Sequence, residues 1–206
     1  MPIAKNADDY ITEQRVALSA NPECGTTHYN LGVALMGKQA YEEAEKEFLA
    51  AIDCSPSLAE AYVQMGALNL RRGDLDACLN WNQRATRVRP GFAEGWGNIG
   101  FIHMQRGEVD EAIKALKKAT TFNFRFIQAI ATLANAYLMK GMLLESITAS
   151  QNALKLDPKF AVAHNNLAIA YLENGEYIKA IEHADKAIQL GYAVAPQILE
   201  ELAQYR

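Results

Sequence analysis

Four of the six prolines, Pro22, Pro56, Pro90 and Pro158, are spaced by 34, 34 and twice 34 residues, and Phe124 stands at the one missing beat. A stiff turn-former that returns at constant interval means one supersecondary unit repeated along the chain, which excludes most folds built around a single core. With Gly25 as the first position of a 34-residue unit, position 7 reads Leu31, Met65, Ile99, Leu133 and Leu167, and position 8 reads Gly32, Gly66, Gly100, Ala134 and Ala168. Position 20 reads Ala44, Cys78, Ala112, Ser146 and Ala180, and position 27 is alanine in every unit: Ala51, Ala85, Ala119, Ala153 and Ala187. Five consecutive units are expected at residues 25–58, 59–92, 93–126, 127–160 and 161–194.

Within each unit two apolar runs at helical spacing flank a glycine at position 15 (Gly73, Gly107, Gly141 and Gly175), replaced by Gln39 in the first unit. That pattern reads as helix, turn, helix. Small side chains at positions 8, 20 and 27 let the two helices approach closely, and mostly larger ones at positions 4, 7, 17 and 30 fill the space between neighbours. One hairpin cannot bury both of its faces, so the units have to stack. Residues 6–20 behave as an unpaired second helix, with Ala17 at position 27 and Tyr10 where a small residue belongs; residues 1–24 are expected to cap the stack. Pro196 opens a last helix with Ile198, Leu199, Leu202 and Tyr205 on one face, so residues 195–206 are expected to cap the other end.

Trp96-x2-Ile99-Gly100-x2-His103, Tyr62-x2-Met65-Gly66-x2-Asn69 and His164-x2-Leu167-Ala168-x2-Tyr171 resemble the W-x2-L-G-x2-Y core of the tetratricopeptide repeat family, each departing from it at one or more positions. The resemblance covers residues 25–194. It implies an all-α fold, a right-handed superhelical solenoid of stacked antiparallel hairpins whose first helices line a concave groove, and a role as a protein–protein interaction scaffold.

The resemblance assigns positions 2, 5, 6, 9, 12 and 13 to the groove. Position 6 reads Asn30, Gln64, Asn98, Thr132 and Asn166. An amide carries a donor and an acceptor, so it can pair with the main chain of an extended peptide whatever that peptide's side chains are. Helices roughly 8–10 Å apart and a peptide rising about 3.3 Å per residue would bring one amide to every third ligand residue. The bland alternative is that asparagine is simply common at this position in the family. Around the amides stand Val33, Ala67, Phe101, Met104, Asn135, Met139, Asn165 and Ile169, with only Glu60, Arg71, Glu94 and Glu173 charged. Chaperone-binding relatives clamp a carboxylate with Lys at position 2, which here reads Thr26, Glu60, Glu94, Gln128 and Val162, so acidic C-terminal tails should bind poorly.

Other readings are weaker. A net charge of -4 gives no electrostatic footprint for nucleic acid. No window approaches the ~20 apolar residues of a membrane span, and the first twenty residues hold no apolar signal-like core. Three cysteines without CxxC spacing fit a reducing cytoplasm. Cys54 and Cys78 fall at positions expected to be buried, and activation of Cys24 by His28 is disfavoured by the turn between them. No two histidines are spaced i, i+4 as a helical zinc site requires, so no metal is expected, and no cofactor. Gly95-Trp96-Gly97-Asn98-Ile99-Gly100 matches GxGxxG but lies inside a helix instead of after a strand; close approach of backbone or of a ligand is expected beside Gly95 and Gly97. Arg84, Arg87, Arg89, Lys114, Lys117, Lys118 and Arg125 read as a solvated outer face. No arrangement of nucleophile, base and acid stands out, so no enzyme is expected.

The turn Phe122-Asn123-Phe124-Arg125-Phe126 alone loses its proline within the array. Phe122 and Phe126 occupy core positions, whereas Phe124 either fills space left by Ser146 and Ser150, the preferred reading, or stays exposed. With Met142 and Leu144 it could form an apolar patch for self-association. Three roles remain open: an adaptor holding a partner's polypeptide segment, a self-assembling homo-oligomeric scaffold, and an accessory subunit of an enzyme complex.

Overall fold

The computed structural model describes residues 6–206. Residues 1–5, part of the expected N-terminal cap, lie outside the described residues. The described residues form helices without a strand: α1 (Ala7–Ala20), α2 (Gly25–Gly37), α3 (Tyr41–Cys54), α4 (Ala59–Arg71), α5 (Leu75–Val88), α6 (Ala93–Gln105), α7 (Val109–Phe122), α8 (Ile127–Met139), α9 (Leu143–Leu156), α10 (Ala161–Glu173), α11 (Tyr177–Gln189) and α12 (Pro196–Ala203). They fall into two compact units that meet in sequence between Asn98 and Ile99, within α6.

In the first unit α2 packs on α3 and α4 on α5, with α1 against α2. Ile11, Leu31, Leu35, Phe48, Ile52, Tyr62, Met65 and Leu68 make one apolar cluster. Small residues set the helix spacing. A Cβ added to Gly32 would lie 2.6 Å from the Phe48 ring, and one added to Gly66 would lie 2.4 Å from the Asn82 amide nitrogen. Gly95 is similarly close to Thr86, 2.9 Å from its methyl, which accounts for a glycine inside a helix. Asn6 caps α1 by accepting the Asp9 amide hydrogen, and Asp74 caps α5 by accepting that of Ala77, both at 2.8 Å. Ion pairs Lys38–Asp8, Arg15–Glu43 and Arg72–Glu45 lie on the surface. The Arg72 guanidinium holds the Glu45 carboxyl below its ordinary value.

In the second unit α9 packs on both α8 and α10, α7 on α8, and α10 on α11. Leu138, Ile147, Leu167, Tyr171, Leu172 and Leu202 form a core cluster, the last contributed by α12. A Cβ on Gly100 would lie 2.4 Å from Leu116. The Tyr177 and Tyr205 rings stack 3.6 Å apart and Arg206 pairs with Asp185, so the C-terminal segment is tied to α11.

Hairpin turns use a left-handed residue, with φ of 79°, 73°, 71° and 75° at Gly73, Gly107, Gly141 and Gly175 and 61° at Gln39. Gln39 therefore carries backbone strain that the other turns avoid. Position 30 behaves differently from expectation. Cys54 and Phe122 are exposed, because position 30 supplies the C-terminal residue of α3, α5, α7 and α9, where the last turn is covered on one side only. Cys78 is buried.

Candidate binding surfaces

The side chain at position 4 meets the turn six residues before it. His28 Nε2 lies 2.9 Å from the Pro22 carbonyl oxygen, Tyr62 donates its hydroxyl to that of Pro56 at 2.9 Å, Trp96 donates its indole N–H to that of Pro90 at 2.8 Å, and His164 Nε2 lies 3.1 Å from that of Pro158. The proline ring fixes the turn, so its carbonyl stays where a donor can reach it. Ile130, six residues after Phe124, has no donor to offer. The missing proline and the missing donor are one departure, not two.

That departure leaves Phe124 74% exposed, so it does not fill the space beside Ser146 and Ser150. Those serines are fully buried by α9 packing on α8 and α10, and their hydroxyls find no hydrogen-bond partner among the described residues. Phe124, Ile130, Leu133, Ala149 and Leu156 instead line an outer cavity of about 380 Å³ with Thr120, Asn152 and Lys155. A second cavity of about 330 Å³ shares Leu133, Ala149 and Asn152 and adds Tyr137, Leu144, Glu145 and Thr148. Leu144 is 70% exposed, while Met142 is half-buried as the cap residue of α9.

On the first helices three of the position-6 amides, Gln64, Asn98 and Asn166, are engaged within the fold. Asn98 Nδ2 donates to Asn82 Oδ1 at 2.9 Å, and the fully buried Asn82 donates to the Cys78 carbonyl at 2.9 Å. Gln64 is the hydrogen-bond partner of the Tyr29 hydroxyl, whose pKa is raised by burial, partly offset by Gln64, and raised further by the Glu60 charge. In the second unit the buried Asn166 donates from α10 to the Ala131 carbonyl of α8 at 3.0 Å, and Thr132 donates to the Gln128 carbonyl at 2.8 Å. Asn165 is buried and Asn30 half-buried. Exposed side chains on these helices include Val33 and Leu70 in the first unit, 41% and 37% exposed, and Phe101, Asn135 and Met139 in the second, with Phe101 39% and Met139 56% exposed; Met104 is half-buried. Arg71 lies with its guanidinium 3.8 Å over the Tyr41 ring and lines a cavity of about 490 Å³ with Glu42, Glu43 and Arg72. Sequence could not distinguish open from engaged amides, because the partners of Gln64, Asn98 and Asn166 come from other helices.

The His28 ring is engaged at both nitrogens, by Glu47 at 2.6 Å from Nδ1 and by the Pro22 carbonyl at 2.9 Å from Nε2. Cys24 instead accepts the Thr27 hydroxyl hydrogen at 3.0 Å, and that bond, with the Thr27 backbone, lowers its thiol pKa. His164 and His183, distant in sequence, bring their Nδ1 atoms to 2.9 Å. Among the described residues no three His, Cys, Asp or Glu side chains could together hold a metal ion.

Three profiles described as tetratricopeptide repeat match residues 15–59, 93–125 and 149–182, more than half of the chain between them. The chain belongs to the tetratricopeptide repeat family. No curated protein matches it significantly. Solved structures of similar fold include YrrB, described as a tetratricopeptide repeat protein with an unusual peptide-binding site, at 21% identity and TM-score 0.70 over 86% of this chain and 91% of that one. PilF of Pseudomonas aeruginosa aligns at 17% identity and TM-score 0.77 over 89% and 85%. MamA from Desulfovibrio magneticus RS-1 aligns at 20% identity and TM-score 0.69 over 81% and 94%. Among the described residues of this tetratricopeptide repeat chain no helix is long and apolar enough to cross a membrane.

Proposed function

We propose that this chain is a cytoplasmic adaptor that works by binding, not catalysis, and holds a segment of a partner polypeptide on the open face of its first helices. The observation that carries the reading is that in the second unit Phe101 and Met139 remain exposed on first helices, where the neutral Asn135 is exposed as well. Apolar side chains standing among uncharged polar ones are what a docking surface for peptide offers: anchors with hydrogen-bonding groups between them. The peptide-binding site of YrrB, a structure of the same fold, supports the reading. The free cysteines support a reducing compartment.

Because the amides of Asn98 and Asn166 are engaged inside the fold, apolar contacts dominate over a backbone ladder. Affinity capture from the native source, followed by cross-link mapping, would identify the bound segment. Phe101→Glu should then weaken its binding by at least about tenfold, the scale of a buried anchor, with helicity unchanged. A partner that binds the variant as tightly, or cross-links only to second helices, would refute the reading.

A further inference from the structure

The fourth hairpin lacks the aromatic pair that the second carries. Ala149 stands two intervals of 34 residues after Trp81, and Ile130 the same distance after Tyr62. In the second hairpin the two rings lie 6.1 Å apart, and the Arg84 guanidinium covers the Trp81 ring at 4.3 Å. In the fourth, the same places border the cavity of about 380 Å³, floored by the buried Ile130, Leu133 and Ala149 and walled by the exposed Phe124 and Leu156. A sister repeat of the same chain therefore shows what shape fits there, which is a flat aromatic ring.

Size and charge narrow the class of occupant. An apolar cavity of about 150 Å³ already holds a benzene ring, and small-molecule sites run from about 300 Å³ upward, with a few polar groups among apolar walls. The cavity of about 380 Å³ therefore admits a ring the size of indole with a short chain attached. Asn152 stands where Arg84 does in the second hairpin, so no guanidinium covers the space. Lys155 lines it instead, its ammonium 3.1 Å from the neutral Asn152 side-chain oxygen and in no ion pair among the described residues. A carboxylate arriving there gains a charge-assisted hydrogen bond without displacing another anion. Glu145 lines the adjoining cavity of about 330 Å³ and disfavours the reverse orientation. We propose that the fourth hairpin binds a small aromatic carboxylic acid, its ring in the cavity beside Phe124, Ile130 and Ala149 and its carboxylate on Lys155.

Titration of the full chain with N-acetyltryptophan, followed by backbone amide chemical shifts, tests this. The acid should saturate with a Kd of about 1 mM or tighter, the range a ligand of this size can reach, and the shifts should centre on α8 and α9. N-acetyltryptophanamide has the same ring without the charge and is shaped like a residue within a polypeptide; it should bind more weakly. Lys155→Gln should weaken the acid about threefold, the scale of an exposed ion pair, and leave the amide unchanged. Ala149→Trp copies the second hairpin and should abolish binding of both probes by filling the cavity. Phe124→Ala, at a side chain exposed to solvent, should weaken both with the fold intact by circular dichroism. An acid that does not saturate, shifts centred on the Phe101 face, affinity unchanged in Phe124→Ala, or an equal response of the two probes to Lys155→Gln would each overturn the proposal. Tighter binding of the amide than of the acid would overturn it too, by assigning the cavity to an aromatic side chain of a polypeptide.

Discussion

The hairpins α4–α5 and α8–α9 share one register and differ at linked positions. In the former, Tyr62 is bonded to the Pro56 carbonyl, its ring lies 6.1 Å from that of Trp81, and Arg84 covers Trp81 at 4.3 Å. In the latter, Ile130, Phe124 and Ala149 stand at the corresponding places, and the volume the aromatics would occupy is an open cavity. A second set of positions trades volume. Gly32, Gly66 and Gly100 lie against Phe48, Asn82 and Leu116, whereas the same two positions read Ala134 with Ser150 and Ala168 with Ala184 in the last two units. Repeats of one architecture therefore vary by compensated groups, and where a group is left uncompensated a surface appears.

The largest expected effect probes the volume trade. Gly66→Ala forces a methyl to within 2.4 Å of the Asn82 amide and should cost about 2 kcal/mol in urea unfolding. Adding Asn82→Ser copies the fourth unit's combination and should recover more than half of the loss; strictly additive costs would show that the two positions are not a pair. Next in size, Tyr62→Phe removes the hydroxyl from the Pro56 carbonyl and should cost about 1 kcal/mol. The reverse graft, Ile130→Tyr with Phe124→Pro, should stabilise by a similar amount only when both changes are present. A gain from either change alone would separate donor from proline.

The smallest effect belongs to the fifth hairpin, where His164 and His183 take the places of Tyr62 and Trp81. Burial, reinforced by the His164 charge and opposed by Glu182, holds His183 below the ordinary imidazole value, and Tyr171 stacks on its ring at 5.6 Å. The folded chain thus takes up this proton less readily than the unfolded chain. Its contribution to stability is complete above the unfolded value of about 6.5 and is lost as pH falls from there through the lower folded value. Unfolding midpoints should decline on acidification below about pH 7, and His183→Gln should flatten that decline. Equal slopes for the two proteins would place the pH sensitivity elsewhere.

Much of the fold was legible from local pattern. The 34-residue interval of Pro22, Pro56, Pro90 and Pro158 and the unbroken series Ala51, Ala85, Ala119, Ala153 and Ala187 demand repeated close-packed hairpins, because only small residues fit where two helices nearly touch. The candidate surface was legible only in outline. Phe101 could be placed on a first helix, and Phe124 singled out as irregular, but whether either is exposed depends on what other helices bring against it.

By itself, then, the sequence determined the repeating unit, its helical hairpin and the positions of its turns, since periodicity and side-chain size act within a few residues of where they are read. Tertiary structure alone decided that Asn98 and Asn166 spend their amide hydrogens on Asn82 and Ala131, that Phe124 lies open, and that His164 meets His183. The three hydrogen bonds are contacts between different helices, and hydrogen-bond partners and exposure alike are fixed by which helices become neighbours, a quantity no local pattern contains.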